Sequence, residues 1–273
     1  ISAPVAVADG HVFVGSEDGY LYIFGEGGKA ALPKKDLEIW KIRSPLKGPL
    51  AGDKFSWYTN YGDFAGSNSN DQGLKPPLRM RWARRLEGTV KHLPVCGGGR
   101  LYTHTAEGQI LAAEQDTGRV LWRTYFPDGF LSFTSPLYVK GKLLIPQGGI
   151  KQSHILCLDA ATGKLRWKHR AGPSDEMVLG NGRLISRWPV RGGAAIREGI
   201  LYFAAGIWPS EGVFVYALNP RTGKVIWKND SSGGIFMGQP HGGASAASGV
   251  SSQGYLAVTE KRVFVATGRA VPA

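Results

Sequence analysis

The feature that most constrains this chain is a turn that returns with its tryptophan in step. Asp159-Ala160-Ala161-Thr162-Gly163-Lys164-Leu165-Arg166-Trp167 is echoed by Glu114-Gln115-Asp116-Thr117-Gly118-Arg119-Val120-Leu121-Trp122 and by Asn219-Pro220-Arg221-Thr222-Gly223-Lys224-Val225-Ile226-Trp227. In each, the Trp stands four residues after the Gly. Apolar residues alternate on both sides of the polar loop, as Ile155 and Cys157 before it and Leu165 and Trp167 after it. That is the pattern of two half-buried strands joined as a hairpin. Asp159 suits the capping of backbone N–H groups in the turn, and Gly163 supplies the positive φ such a turn demands.

A repeat with one large aromatic at a fixed place cannot bury it alone and must stack against neighbours of the same kind. Trp82, Trp122, Trp167 and Trp227 are spaced by 40, 45 and 60 residues. About 40 to 45 residues is the length of one four-stranded propeller blade. The long step predicts an insertion, placed at 174–191. The expected fold is all-β, a β-propeller of four-stranded antiparallel blades, with hairpins at 11–24, 100–113, 142–158 and 200–218. Glycine at 39 of 273 residues and eight Trp suit many short strands and tight turns, and no helix is expected.

The organisation read from the sequence is a blade portion over 1–43, an irregular insertion or linker over 44–77, and blades over 78–273. Asp9-Gly10 and Asp18-Gly19 are hairpin-turn dipeptides between alternating apolar residues. The third turn of that first unit is degraded to Gly25-Glu26-Gly27-Gly28-Lys29, and Trp40 arrives late. From Ser44 to Pro77 the periodicity vanishes, although Trp57-Tyr58-Thr59-Asn60-Tyr61-Gly62-Asp63-Phe64 is too aromatic for simple disorder. Both ends offer the same first half of a blade, so the expectation is four to five blades of a larger propeller of seven to eight.

Lys and Arg exceed Asp and Glu by 12. The surface is therefore strongly basic, but the cations are scattered one per turn, with Arg79, Arg81, Arg84 and Arg85 the one dense cluster. Scatter of that kind is a solvated face rather than a nucleic-acid site, and no specific nucleic acid is expected. The two cysteines, Cys96 and Cys157, sit in different repeats without metal-ligand spacing and read either as a disulfide or as two buried thiols. No apolar run approaches the ~20 residues of a membrane span, so no transmembrane segment is expected. Gly97-Gly98-Gly99 precedes neither a helix nor a Lys-Ser/Thr pair and reads as a turn. The six histidines do not cluster.

With Leu158-Asp159-Ala160-Ala161-Thr162-Gly163-Lys164-Leu165-Arg166-Trp167 and its relatives in view, the chain resembles the PQQ-like repeat family of quinoprotein-type β-propellers. That family includes pyrroloquinoline-quinone alcohol dehydrogenases and a non-catalytic lipoprotein of bacterial outer-membrane assembly. Trp188-Pro189-Val190-Arg191-Gly192-Gly193, Gln239-Pro240-His241-Gly242-Gly243 and the 57–64 stretch look like those of large bacterial extracytoplasmic members. The resemblance implies that Trp82, Trp122, Trp167 and Trp227 pack between blades, and that the protein works in the periplasm or cell envelope. It also implies what a catalytic member carries: the quinone over a vicinal Cys-Cys ring, a calcium, and an Asp base. No Cys-Cys pair and no Cys-x-x-Cys-His haem motif is present. Asp63, Asn68 and Asp71 lie close in sequence but lack the spacing of a calcium loop and read as turn-capping residues.

The reading is a non-catalytic binding or scaffolding propeller for a protein or a glycan. Its ligand-contact candidates are Trp188, Arg191, Trp208 and His241, in inserted Gly/Pro-rich loops where a rigid scaffold places recognition. The alternative is part of a PQQ-dependent dehydrogenase whose quinone and calcium site is completed elsewhere.

Overall fold

Strand and turn chemistry repeat together through four four-stranded antiparallel sheets. The computed structural model describes residues 5–27, 57–64, 67–68, 73–126, 132, 134–148, 152–180, 182–239 and 242–266. The first sheet runs β1 (Val5–Ala8), β2 (His11–Gly15), β3 (Tyr20–Gly25), β4 (Arg79–Arg85), and the second β5 (Val95–Gly97), β6 (Arg100–His104), β7 (Gln109–Glu114), β8 (Val120–Tyr125). The third contains β9 (Leu137–Val139), β10 (Lys142–Gly148), β11 (Ser153–Asp159) and β12 (Leu165–Arg170). A hairpin of β13 (Met177–Gly180) and β14 (Arg183–Ser186) precedes the fourth sheet, β15 (Ala195–Arg197), β16 (Ile200–Ala205), β17 (Phe214–Leu218) and β18 (Val225–Asn229). Two further hairpins follow, β19 (Ile235–Gly238) with β20 (Ser245–Ser248), and β21 (Ala257–Val258) with β22 (Val263–Phe264). The helical content of the described residues is one 3₁₀ turn, Pro209–Glu211.

The first two strands of every blade meet through the same local device. Asp9-Gly10, Gly98-Gly99, Lys140-Gly141 and Glu198-Gly199 all hold two consecutive residues at positive φ. That is the two-residue primed turn, whose twist matches the right-handed twist of the strands it joins. A second device recurs at the outer strand. Register slips by one residue just before Trp82, Trp122 and Trp227, which pair with Ile23, Ala112 and Ala217. The bulge re-aims the indole relative to its strand.

The sequence division at 43 and 78 does not follow the sheets. Although the chain runs from Gly25 to Arg79 between them, β3 and β4 pair from Tyr20↔Arg85 to Gly25↔Arg79. The Trp82 strand therefore closes the blade opened at Val5. Trp40 lies outside the described residues. The inserted 174–191 region is not featureless, since it contains the β13–β14 hairpin, paired Met177↔Ser186 to Gly180↔Arg183.

The chain forms two compact units, one of residues 1–127, 135–144 and 158–166, the other of 128–134, 145–157 and 167–273. The core of the first joins Phe13, Leu21, Ile23, Leu101 and Leu111 around Trp57. In the second, Ala204, Val213 and Val215 pack with Val250, Leu256 and Val265. Cys96 and Cys157 are both buried free thiols, and burial pushes the Cys96 thiol far above its usual value.

Candidate functional site

The recurrent turn holds itself together through its first residue. Asp159 accepts hydrogen bonds at Oδ1 from the backbone N–H of Ala161 (3.0 Å) and Thr162 (2.9 Å) and from the Thr162 hydroxyl (3.0 Å). Arg166 donates to its other oxygen. Partial burial pushes the Asp159 carboxyl up, but the bonds from Arg166 and Thr162 outweigh it, and the group stays below the usual carboxylate range. Asn219 plays the same part by accepting from Arg221 N–H at 2.9 Å, and Glu114 does so through the Thr117 hydroxyl at 2.6 Å and Arg119.

Each such turn receives the tryptophan of the preceding blade. The indole N–H donates to the carbonyl three residues before the turn glycine: Trp82 to Gln115 (2.9 Å), Trp122 to Ala160 (3.0 Å) and Trp167 to Pro220 (3.3 Å). The ring lies flat on the glycine, where a Cβ would stand 2.5 Å from Trp82 at Gly118, 2.5 Å from Trp122 at Gly163 and 2.7 Å from Trp167 at Gly223. Only glycine gives both the left-handed φ and that approach. Trp227 differs: it is 39% exposed, meets the Tyr202 ring at 6.2 Å, and finds no carbonyl for its indole N–H among the described residues.

The aromatic stretch of the insertion lies against first strands in the first unit. Trp57 exchanges both backbone hydrogen bonds with Cys96 of β5, and the Tyr58 carbonyl accepts from Tyr138 N–H of β9 at 2.9 Å. A stack of rings follows, Phe64 on Tyr58 (5.4 Å), Tyr58 on Tyr138 (5.9 Å) and Tyr138 on Tyr102 (5.5 Å). Thr59 and Asp63 brace the turn. The Thr59 hydroxyl accepts from Tyr61 N–H and donates to the Asp63 carbonyl, and the Asp63 carboxylate accepts from the backbone and hydroxyl of Ser67.

The loop residues singled out in the sequence part company. Trp188 is 5% exposed, its indole donates to the Glu211 carbonyl at 2.7 Å, and its ring covers Gly172. It is therefore no rim aromatic; it repeats in small the tryptophan-on-turn contact of the blades. Beside it Arg187 bridges Glu176 (2.5 Å) and Glu211 while standing 5.3 Å over the Trp188 ring. Arg191 and Trp208 are half-buried, Trp208 heading the 3₁₀ turn, and His241 lies outside the described residues. The structure gives no geometry that gathers the four.

What the sequence reading passed over is the apolar surface of the two extra hairpins in the second unit. Leu179 on β13 is 78% exposed and Phe236 on β19 is 73% exposed, with Leu184, Ile235 and Met237 also outward. The available signal was two short apolar runs, Met177-Val178-Leu179-Gly180 and Ile235-Phe236-Met237-Gly238, outside the blade frame. Contiguous apolar surface left in water is one mark of a contact surface, whereas single exposed apolar residues are ordinary.

Among the described residues, the cysteines and carboxylates weighed for a quinone or a calcium are not gathered in one place. Cys96 is enclosed under the Trp57 backbone pairing, and Cys157 is buried in a different strand. The Asp63 carboxylate is committed to Ser67, and Asp71 lies outside the described residues. No group of three or more His, Cys, Asp or Glu able to hold a metal occurs among the described residues.

Residues 78–196 match the family described as outer membrane protein assembly factor BamB. Tetrathionate hydrolase of Acidithiobacillus ferrooxidans is 26% identical over 249 residues, covering 90% of this chain and 40% of that protein. Polyvinylalcohol dehydrogenase of Sphingopyxis is 29% identical over 200 residues, covering 68% and 29%. The quinohemoprotein alcohol dehydrogenase ADH IIB of Pseudomonas putida is 34% identical over 84 residues, covering 29% and 12%. The chain thus spans 40% or less of the length of these relatives. Among solved structures, the quinohemoprotein alcohol dehydrogenase of Comamonas testosteroni shares the fold with a TM-score of 0.56 at 15% identity, over 98% of this chain and 40% of that one.

Proposed function

We propose, from the premise that these blades are PQQ-like repeats of a β-propeller, that the chain is an extracytoplasmic binding or scaffolding module that holds a protein partner. The observation that carries this reading is the pair of hairpins outside the blade frame, β13–β14 and β19–β20, which expose Leu179 at 78% and Phe236 at 73%. The outer strands of the blades also expose apolar residues, Leu165 at 51% and Ile226 at 53%, but Leu179 and Phe236 are the most exposed large apolar side chains among the described residues, and a partner would cover them. Replacing Leu179 and Phe236 by Ser tests it. The double variant is expected to keep the fold and lose recovery of the native complex after in-cell cross-linking. Recovery unchanged from the wild type would remove the reading. A description of the matched family as an assembly factor agrees with it. No helix among the described residues is long and apolar enough to cross a membrane, which says nothing of strands.

A second reading is favoured by the names of the three curated relatives above, each an enzyme and two of them dehydrogenases. In that reading the blades are part of a larger catalyst, and the residues that hold its cofactor lie outside those described. Titration with pyrroloquinoline quinone and calcium, followed by absorbance and dye reduction, separates the two. Stoichiometric uptake with turnover supports the enzyme and removes the scaffold.

A further inference from the structure

The outer strand of the first blade differs from those of the other blades in one respect. Residues 73–86, Gly-Leu-Lys-Pro-Pro-Leu-Arg-Met-Arg-Trp-Ala-Arg-Arg-Leu, hold five cations and no carboxylate. In the other blades a cation beside the tryptophan faces an acid: Arg123 stands 4.0 Å from Glu87, Arg166 pairs with Asp159, and Lys228 sits 2.6 Å from Asp230. On β4, Arg79, Arg81 and Arg85 are exposed and have no carboxylate within ion-pair distance among the described residues.

We propose that β4 is a docking stripe for an extended, acidic segment of a partner protein. The stripe is the terminal strand of its sheet and seven residues long, which at about 3.4 Å per residue spans roughly 24 Å. Charge complementarity names the occupant. A guanidinium fork grips a carboxylate through two parallel N–H bonds, and the stripe uses Arg rather than Lys at every exposed cation of the strand. Its width of one strand selects a chain over a surface. Glu17 and Asp18, exposed in the turn before β3, and Glu26, exposed just after it, are carboxylates that a broad anionic bilayer would also meet. The bulge at Arg81 interrupts the backbone ladder, so the contact is made by side chains rather than by adding a strand. Cations on an edge also keep foreign strands away. The lack of an ion-pair partner goes beyond that need, because the other outer strands are equally edges, yet on each a cation beside the tryptophan faces an acid from outside the strand.

The test is fluorescence anisotropy of a labelled peptide of four Glu-Thr repeats against the full chain at low ionic strength, with phosphatidylserine vesicles run in parallel. Saturable binding of the peptide is expected. It falls by about tenfold or more in R79Q/R81Q/R85Q, the sum expected of three exposed ion pairs, and by less than about twofold in R183Q/K224Q/K261Q, which removes equal charge from exposed sites elsewhere. Circular dichroism of both variants matches the wild type, and a Gln-Thr peptide does not bind the unaltered chain. Equal losses in the two variants, retention of the Gln-Thr peptide, or binding to vesicles without binding to the peptide would each overturn the proposal.

Discussion

Gly163 shows how much one residue can carry in this fold. Its φ of +72° and the Trp122 ring 2.5 Å from where a Cβ would stand make two separate demands. Gly182 has a φ of +73° but nothing within 4 Å. Both Ala substitutions strain the backbone by about 1 kcal/mol, but only Gly163→Ala also drives a methyl into an indole, so it is expected to destabilise by about 1–3 kcal/mol more. Urea midpoints of the two variants check this. Titration adds a second expectation. His11, His154 and His169 are held below the ordinary imidazole value of 6.5, in each case foremost by burial, with Arg81 adding to it at His11 and Lys168 at His154. Below pH 6.5 the unfolded chain takes up protons that the folded chain refuses, so stability is complete above that value and falls as pH drops from about 7 toward 5. The depressed carboxyls of Asp159 and Glu114 act only below that window. Denaturation midpoints at pH 7.5 and 5.5 should therefore differ, and removal of the His154 and His169 imidazoles should flatten the difference.

An outer strand with its tryptophan is one half of a joint, and the turn of the next blade is the other. Trp122 is 5% exposed and fully seated, whereas Trp227 is 39% exposed and has no turn beneath it among the described residues. Trp122→Ala is expected to cost about 3–5 kcal/mol and Trp227→Ala about 2 kcal/mol less, since the second removes little buried area. Trp167→Ala should likewise exceed Trp208→Ala, because Trp167 covers Gly223 and bonds Pro220, while Trp208 caps a 3₁₀ turn. Thermal denaturation of the four variants measures both differences. These joints were legible in the sequence because one turn motif and one Trp spacing recur. Trp188 was not, because its seat is assembled from Gly172 and Glu211, which share no motif with it.

For the whole molecule, far-UV circular dichroism should show a β spectrum without the double minimum of helix, as three residues of 3₁₀ turn are the helical content of the described chain. The net charge of +12 should make any association with anionic partners weaken steeply between low and physiological salt. By itself the sequence determined the blade: the period-2 strands, the paired positive-φ turns and the Gly-to-Trp interval are all local, and local chemistry is written in adjacent residues. The tertiary structure decided what lies beside what. It brought Arg79–Arg85 back to a strand that ends at Gly25, laid Trp57 and Tyr58 along β5 and β9, buried Trp188 and left Leu179 and Phe236 in water. No residue pattern announces such neighbours, because they follow from which surfaces remain uncovered once the blades have packed.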